Sequence, residues 1–337
     1  MPSKYPAFDR SLLSLLPLEQ RAHDMDLTRL LKVGEAPIAY ENPHLPAVAD
    51  AIAAAVARGS SVVLMMGAHV IKQGLSRYII DLVRRGWVSV VAMNGACGIH
   101  DYELARIGAT TESVPRYISE GQFGLWRQTG EINDIIRRGN AEGLGYGEAL
   151  GAHVASAGDC PHKDVSIFAA AHEANVPATV HVGIGYDITH EQPNCDGAAI
   201  GEASYRDFLI FTKVVENLEG GVVLCVGSAV MGPEVFLKAL AMARNVTARR
   251  GGAIRHFTSA VFDLVPLGDD YHTEAPKDRP EYYYRPFKTV LVRTVRDGGQ
   301  SHYICGDHRA TIPALHKLLF GRQEPVAGSR EPVKDKS

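Results

Sequence analysis

No window of the 337-residue chain holds the roughly 18 unbroken apolar residues that a membrane helix needs. Nor is there an excess of positive charge. Lys and Arg number 35 against 38 Asp and Glu, a net charge of −3 at pH 7, so the basic field that holds nucleic acid is missing. Neither a membrane nor a nucleic acid is therefore expected as a partner. The N-terminal stretch MPSKYPAFDRSLLSLLPLEQR has no long apolar core before a small-residue cleavage site, so no secretory signal is expected. The five cysteines, Cys97, Cys160, Cys195, Cys225 and Cys305, show no CxxC spacing. Their odd number argues against a complete disulfide set and their spacing against a zinc motif. Reduced thiols in a cytoplasmic protein are the expectation. Also missing are a Pro/Gly/Ser-rich linker, a repeat of 20–50 residues and a GxGxxG fingerprint.

What is present is a strand-and-helix alternation. Apolar runs at Ser61–Met66, Val88–Met93, Val176–Val180 and Val222–Val226 read as buried strands, with Ala253–Phe262 and Thr289–Val295 as further strands. Between them, Pro46–Arg58, Gly74–Arg85, Asp101–Ile107, Val165–Asn175, Tyr205–Leu218, Pro233–Ala243 and Ile312–Phe320 read as helices. Residues 111–160 read as less regular, with a Gly-rich stretch GLGYGEALG. The alternation predicts an α/β fold, a parallel sheet with helices on both faces. One domain over residues 46–321 is expected. Residues 1–45 would be an N-terminal arm and residues 322–337 a disordered polar tail.

The densest cluster of chemistry-bearing residues is HVGIGYDITHEQPNCDGAAIGE, from His181 to Glu202. It follows an apolar run, at the kind of strand outlet where open α/β sheets bind small molecules. His181, Asp187 and His190 offer nitrogen and oxygen donors to a divalent ion. However, no regular element fixes them on one face, and no metal is expected there. Small residues end three strands: Gly67-Ala68-His69, Asn94-Gly95-Ala96-Cys97-Gly98 and Gly227-Ser228-Ala229. Such turns let backbone N–H groups face a phosphate or ribose, and three in one sheet suggest a long ligand lying across the strand ends. Lys288, in RPEYYYRPFKTVLV, falls at the start of a predicted strand among aromatics. It is a candidate for Schiff-base chemistry, set against the ordinary alternative of a lysine that snorkels to solvent.

These pieces resemble the deoxyhypusine synthase family over roughly residues 60–320. The block GAHVIKQGLSRYIIDLVRRGWVSVVAMNGACGIHDYELARIGAT is similar to the family's strand–turn–helix–strand–turn region that touches a nicotinamide cofactor. Asp196–Gly201 resembles its DGSLGD, with Glu202 for the final acid. Gly227-Ser228-Ala229-Val230 resembles its GGGV turn, and Gly306-Asp307 resembles its AD(A/S)S segment. The stretch Arg279–Lys288 matches the spacing of RPDEAVSWGK, whose last residue is the family's imine-forming lysine.

The resemblance implies a Rossmann-like sheet and NAD as cofactor, contacted by His69, Gly95, Ala96, Gly98, Asp101, Gly227, Ser228 and Asp307. It implies Lys288 as the catalytic amine, with Asp196, Glu202, Glu234 and Tyr282 around an amine or polyamine such as spermidine. The implied reaction is transfer of an aminoalkyl group to an amine acceptor, in a homo-oligomer, dimer or tetramer. Several family positions are changed, Pro286 standing where the family has Trp and Tyr282 where it has Glu. A paralogue that binds NAD or another small ligand without transfer is the alternative.

Overall fold

The computed structural model describes residues 3–268 and 270–320; the expected disordered tail, 322–337, lies outside them. Six parallel strands form the sheet: β1 (Val62–Met66), β2 (Val90–Asn94), β3 (Ala178–His181), β4 (Val222–Val226), β5 (Thr258–Asp263) and β6 (Gln300–Cys305). Their order is β3-β2-β1-β4-β5-β6, with all neighbours parallel. This is the α/β, Rossmann-like sheet expected from the strand–helix alternation.

Alternation along each strand sorts side chains into two cores. Val62, Leu64, Met66, Val91 and Met93 pack with Val48, Ile52 and Ile312 from the helices Leu45–Ala57 and His308–Phe320. Val63, Met65, Val90 and Ala92 face the other way, onto Phe211, Phe236 and Leu240 from the helices Gly197–Val215 and Met231–Arg249. A strand buried on both faces shows no polar alternation, which is why these strands read as unbroken apolar runs.

Two expectations are corrected. Residues Thr289–Val295 are not a strand. Pro286–Arg293 is a π-helical segment, and the Thr294 N–H donates to the Thr289 carbonyl at 3.1 Å. Pro286, Phe287, Lys288, Thr289, Val290 and Leu291 are all buried, so no exposed face reveals the helical period. The last strand is instead Gln300–Cys305 at the sheet edge, where polar residues interrupt the apolar signal.

Residues 111–160 are also more regular than expected, holding the helices Val114–Ser119, Arg127–Ala141 and Tyr146–Ser156. Two of the glycines there serve close packing rather than turns. A Cβ on Gly139 would lie 2.3 Å from the Ala149 Cβ, and one on Gly147 would lie 1.9 Å from the Ala178 carbonyl oxygen. Residues before 45 pack onto the body: Leu18, Leu30 and Leu31 are buried. Arg21 forms a two-bond pair with Glu103 at 2.9 and 2.6 Å. Met25 and Asp26 pair with Thr110 and Ala109.

Candidate functional site at the carboxyl edge of the sheet

β1 and β4 are neighbours from which the chain winds outward in opposite directions. Open sheets of this kind bind ligands in the crevice at that switch point, outside the strand carboxyl ends. Here the backbones of the two outgoing turns touch. A Cβ on Gly67 would lie 2.2 Å from the Gly227 carbonyl oxygen, so any larger residue forces the turns apart. Gly227 has φ +57°, and a Cβ there would lie 2.6 Å from His308 Nε2. The turn after β6 thus joins the turns after β1 and β4.

His308 is 3% exposed. Its imidazole is held below its ordinary value by burial and then by His69, with Asp263 and Asp307 acting the other way. Its Nδ1 is buried with no hydrogen-bond partner among the described residues. The His69 ring stands edge-on at 6.0 Å, and His69 Nε2 is 3.0 Å from Gln73 Nε2. Asp307 is exposed and caps its helix by accepting from the Arg309 N–H at 2.7 Å. Asp263, ending β5, accepts from the Leu264 N–H at 2.7 Å and from the Tyr284 hydroxyl. Ser228 is buried and its Oγ accepts from the Gly232 N–H at 2.9 Å, capping the helix Met231–Arg249.

Beside this crevice the β2 turn is closed. Asn94 Oδ1 accepts from the Cys97 N–H at 3.2 Å and caps the helix Gly95–Ile107. A Cβ on Gly95 would lie 2.0 Å from Asp187 Oδ2, so the chain's own carboxyl sits over that helix start. Burial pushes Asp187 up to about 6. His190 Nδ1 accepts from the Gly185 and Asp187 N–H groups at 3.1 and 3.2 Å, and its Nε2 is 3.9 Å from Asp187 Oδ2. His181 turns elsewhere. Its Nε2 is 3.0 Å from Thr179 Oγ1, its ring is edge-on to Phe211, and burial pushes it down to about 3. Nothing here converges His181, Asp187 and His190 on a metal.

The structure brings some expected site residues together and not others. His69, Gly227 and Asp307 border the crevice, with Ser228 on its flank. Gly95 and the half-buried Ala96 lie under Asp187. Gly98 and Asp101 face inward. A Cβ on Gly98 would touch Leu150 at 3.4 Å. The fully buried Asp101 binds the Ser166 hydroxyl and the Ile167 N–H.

Lys288 is 8% exposed, with Nζ 3.5 Å from the centroid of the Tyr282 ring. Its helix is fixed to the crevice rim by two bonds, Arg285 to Glu234 and Tyr284 to Asp263. Glu234 also pairs with Lys238. Asp196 and Glu202 are occupied elsewhere. Asp196 Oδ1 accepts from the Ala198 and Ala199 N–H groups at 3.0 and 3.1 Å. Glu202 takes Asn140 at 3.0 Å and Arg206 at 3.2 Å, and neither acid meets Lys288 among the described residues. The residue missed in the sequence is His308; its adjacency to Gly306-Asp307 is the one signal that marked it.

No family model and no curated protein matches the chain. Among solved structures it is similar to ArgZ, an arginine dihydrolase from the ornithine-ammonia cycle in cyanobacteria, with 16% identity over 83% of this chain and 32% of that one, at a TM-score of 0.50. It is also similar to AgrE in a ternary complex with ornithine and NAD+, with 15% identity over 82% of this chain and 32% of that one, at a TM-score of 0.49. A putative deoxyhypusine synthase from Entamoeba histolytica shows 11% identity over 80% of this chain and 78% of that one, at a TM-score of 0.41. The matched region is about a third of the length of the ArgZ and AgrE chains. At these identities the likeness to ArgZ shows the fold alone, a Rossmann-like parallel α/β sheet.

Proposed function

We propose that the chain is an NAD-binding enzyme acting on an amine, with the dinucleotide in the crevice between β1 and β4 and Lys288 as the reactive amine. The observation that carries this reading is the meeting of Gly67, Gly227 and His308 at the switch point. Gly67 and Gly227 let the two turns pack against each other and against His308, which gathers the outgoing backbone where open sheets hold dinucleotides. The unpartnered His308 Nδ1 and the exposed Asp307 carboxylate are polar groups available to a ribose or amide. The β2 helix start is not available to a phosphate while Asp187 covers Gly95. His69, Gly227, His308 and Asp307 are therefore assigned to the cofactor, and Gly98 and Asp101 are assigned to the core.

When bound, NAD supplies a hydride acceptor. In this reading Lys288 attacks an imine carbon and an amine leaves. That exchange leaves the oxidation level unchanged and makes an imine on Nζ. The Tyr282 face holds the free ammonium before reaction. An aminoalkyl donor of the polyamine class fits this exchange, with a small amine or a protein lysine as acceptor.

The test has two readouts. NAD binding is measured by calorimetry for the wild type and for Gly227→Val, which fills the contact with His308; binding is expected in the first and lost in the second. Spermidine and NAD are then added, borohydride is used to reduce any imine, and mass spectrometry locates the adduct on Lys288. NAD binding with unmodified Lys288 sinks the transfer reading and leaves a ligand-binding paralogue. Equal NAD binding in Gly227→Val sinks the crevice.

A further inference from the structure

Away from the crevice, the loop leaving the helix Tyr146–Ser156 brings a nitrogen, an oxygen and a sulfur together. The donor atoms of His153, Asp159 and Cys160 all lie within 4.8 Å of one another. His153 Nε2 is 3.8 Å from Asp159 Oδ1, and Cys160 Sγ is 3.8 Å from the same oxygen. A tetrahedral ion with bonds of about 2.0–2.3 Å places its ligands roughly 3.3–3.8 Å apart. The two separations to Asp159 Oδ1, both 3.8 Å, sit at the upper end of that range, and the third lies within 4.8 Å.

The surroundings argue against an ordinary hydrogen-bonded cluster. His153 Nε2 is buried and has no hydrogen-bond partner among the described residues. Burial, the largest influence, holds its imidazole below the ordinary value. Cys160 is 2% exposed, and its thiol donates to Asp159 Oδ1 at 3.8 Å.

Arg106 fixes the carboxylate from outside. It donates to the Asp159 backbone carbonyl at 2.7 Å and lies 3.6 Å from Oδ2, which leaves Oδ1 facing His153 and Cys160. Arg106 in turn pairs with Glu131 at 3.3 Å, which accepts from the Tyr102 hydroxyl at 2.7 Å. An outer partner that orients a ligating carboxylate is a regular part of metal sites.

We propose that His153, Asp159 and Cys160 form a three-ligand site for a zinc-class divalent ion, with the fourth position open to solvent. Binding replaces the Cys160 S–H bond by a metal–sulfur bond and releases the proton to solvent, with no change of oxidation state. Asp159, Glu131 and the Cys160 thiolate against Arg106 and the dication leave the cluster neutral. One sulfur, one imidazole and one carboxylate favour zinc or cobalt over magnesium or calcium. The ion would fix the loop from Ala157 to Cys160 to the end of its helix.

The full chain, stripped with a chelator, is titrated with Co2+ and then with Zn2+ in competition with a chromophoric chelator. One equivalent of Co2+ is expected to give a thiolate-to-cobalt charge-transfer band, displaced by Zn2+. Cys160→Ser is expected to abolish the band, and His153→Gln to weaken binding by about tenfold or more. Circular dichroism on both variants shows that the fold is kept, and His153→Gln decides the matter if Cys160→Ser does not fold. Absence of a stoichiometric band in the wild type, or equal affinity in His153→Gln, would overturn the proposal.

Discussion

On the β2–β3 side of the sheet, the acids are taken into the protein. Asp101 and Asp207 are buried and pushed up to about 7. Asp187 lies over the start of the helix after β2, and the buried Arg21–Glu103 pair ties down the N-terminal segment. On the β4–β6 side, Asp307 is exposed and Asp263 half-buried at the strand ends. The ion pairs there, Arg285–Glu234 and Arg293–Glu274, are about a third exposed. A helix start already covered by the chain's own carboxyl has no room for a ligand's anion. That difference is why the proposed ligand site lies at the β1, β4 and β6 turns and not at the β2 and β3 turns.

The largest expected effect tests the architectural side. Glu103 is fully committed inside, accepting from Arg21 and from the Thr110 and Thr129 hydroxyls at 2.6 Å each. Burial pushes its carboxyl up, but Arg21 and the hydrogen bonds more than offset this and hold it below the usual range. Removing Arg21 leaves that charge unpaired, so Arg21→Ala is expected to cost about 3–5 kcal/mol in urea unfolding. Arg293→Ala, in the partly exposed pair with Glu274, is expected to cost about 0–1 kcal/mol. Equal losses would erase the distinction between the two sides.

Next is a pH dependence. Asp207 Oδ2 accepts from the Gly147 and Val180 N–H groups at 2.9 and 2.7 Å, while Oδ1 has no partner. Burial is the main cause of its upward shift to about 7. The folded value lies above the unfolded one, so this contribution is complete below about pH 4 and fades as pH rises through about 7. Wild-type stability is expected to fall across that window, with Asp207 supplying on the order of 2–4 kcal/mol. Asp207→Asn keeps an acceptor oxygen for both N–H groups and is expected to flatten the curve. An unchanged slope in the variant would show that Asp207 is ionised in the fold.

The last effect concerns the covered turn. Gly95→Ala drives a methyl into Asp187 and is expected to cost about 1–3 kcal/mol. Adding Asp187→Ala is expected to recover most of it, a coupling visible in a double-mutant cycle. Without coupling, Asp187 is not what holds Gly95 small.

Much of the sheet was legible. Val222–Val226 was read to the residue, and β1, β2 and β3 to within a few residues, because a parallel strand buried on both faces leaves an apolar run that needs no partner to be seen. The segment around Lys288 was misread because Phe287, Thr289, Val290 and Leu291 are buried all round, which removes the exposed face by which a helix shows its period. The glycines of residues 139–151 suggested loops, since a close helix contact and a turn call for the same residue. At the site, the strand-end glycines stood out as local turn signals, whereas Asp307 was named by the family resemblance alone. The inward place of Gly98 and Asp101 did not stand out, because it depends on the helix that packs beside them.

The sequence by itself determined the strands β1 to β4, that strands run parallel between helices, and which of those strand ends carry small residues. Those are local properties, written in hydrophobic period and turn chemistry. Tertiary structure alone decided that β1 and β4 are neighbours, that Gly67 meets Gly227 beneath His308, and that Asp187 covers Gly95. It also placed Asp196 and Glu202 apart from Lys288. The physical reason is that strand order and side-chain opposition are fixed by packing residues distant along the chain, which no local pattern encodes.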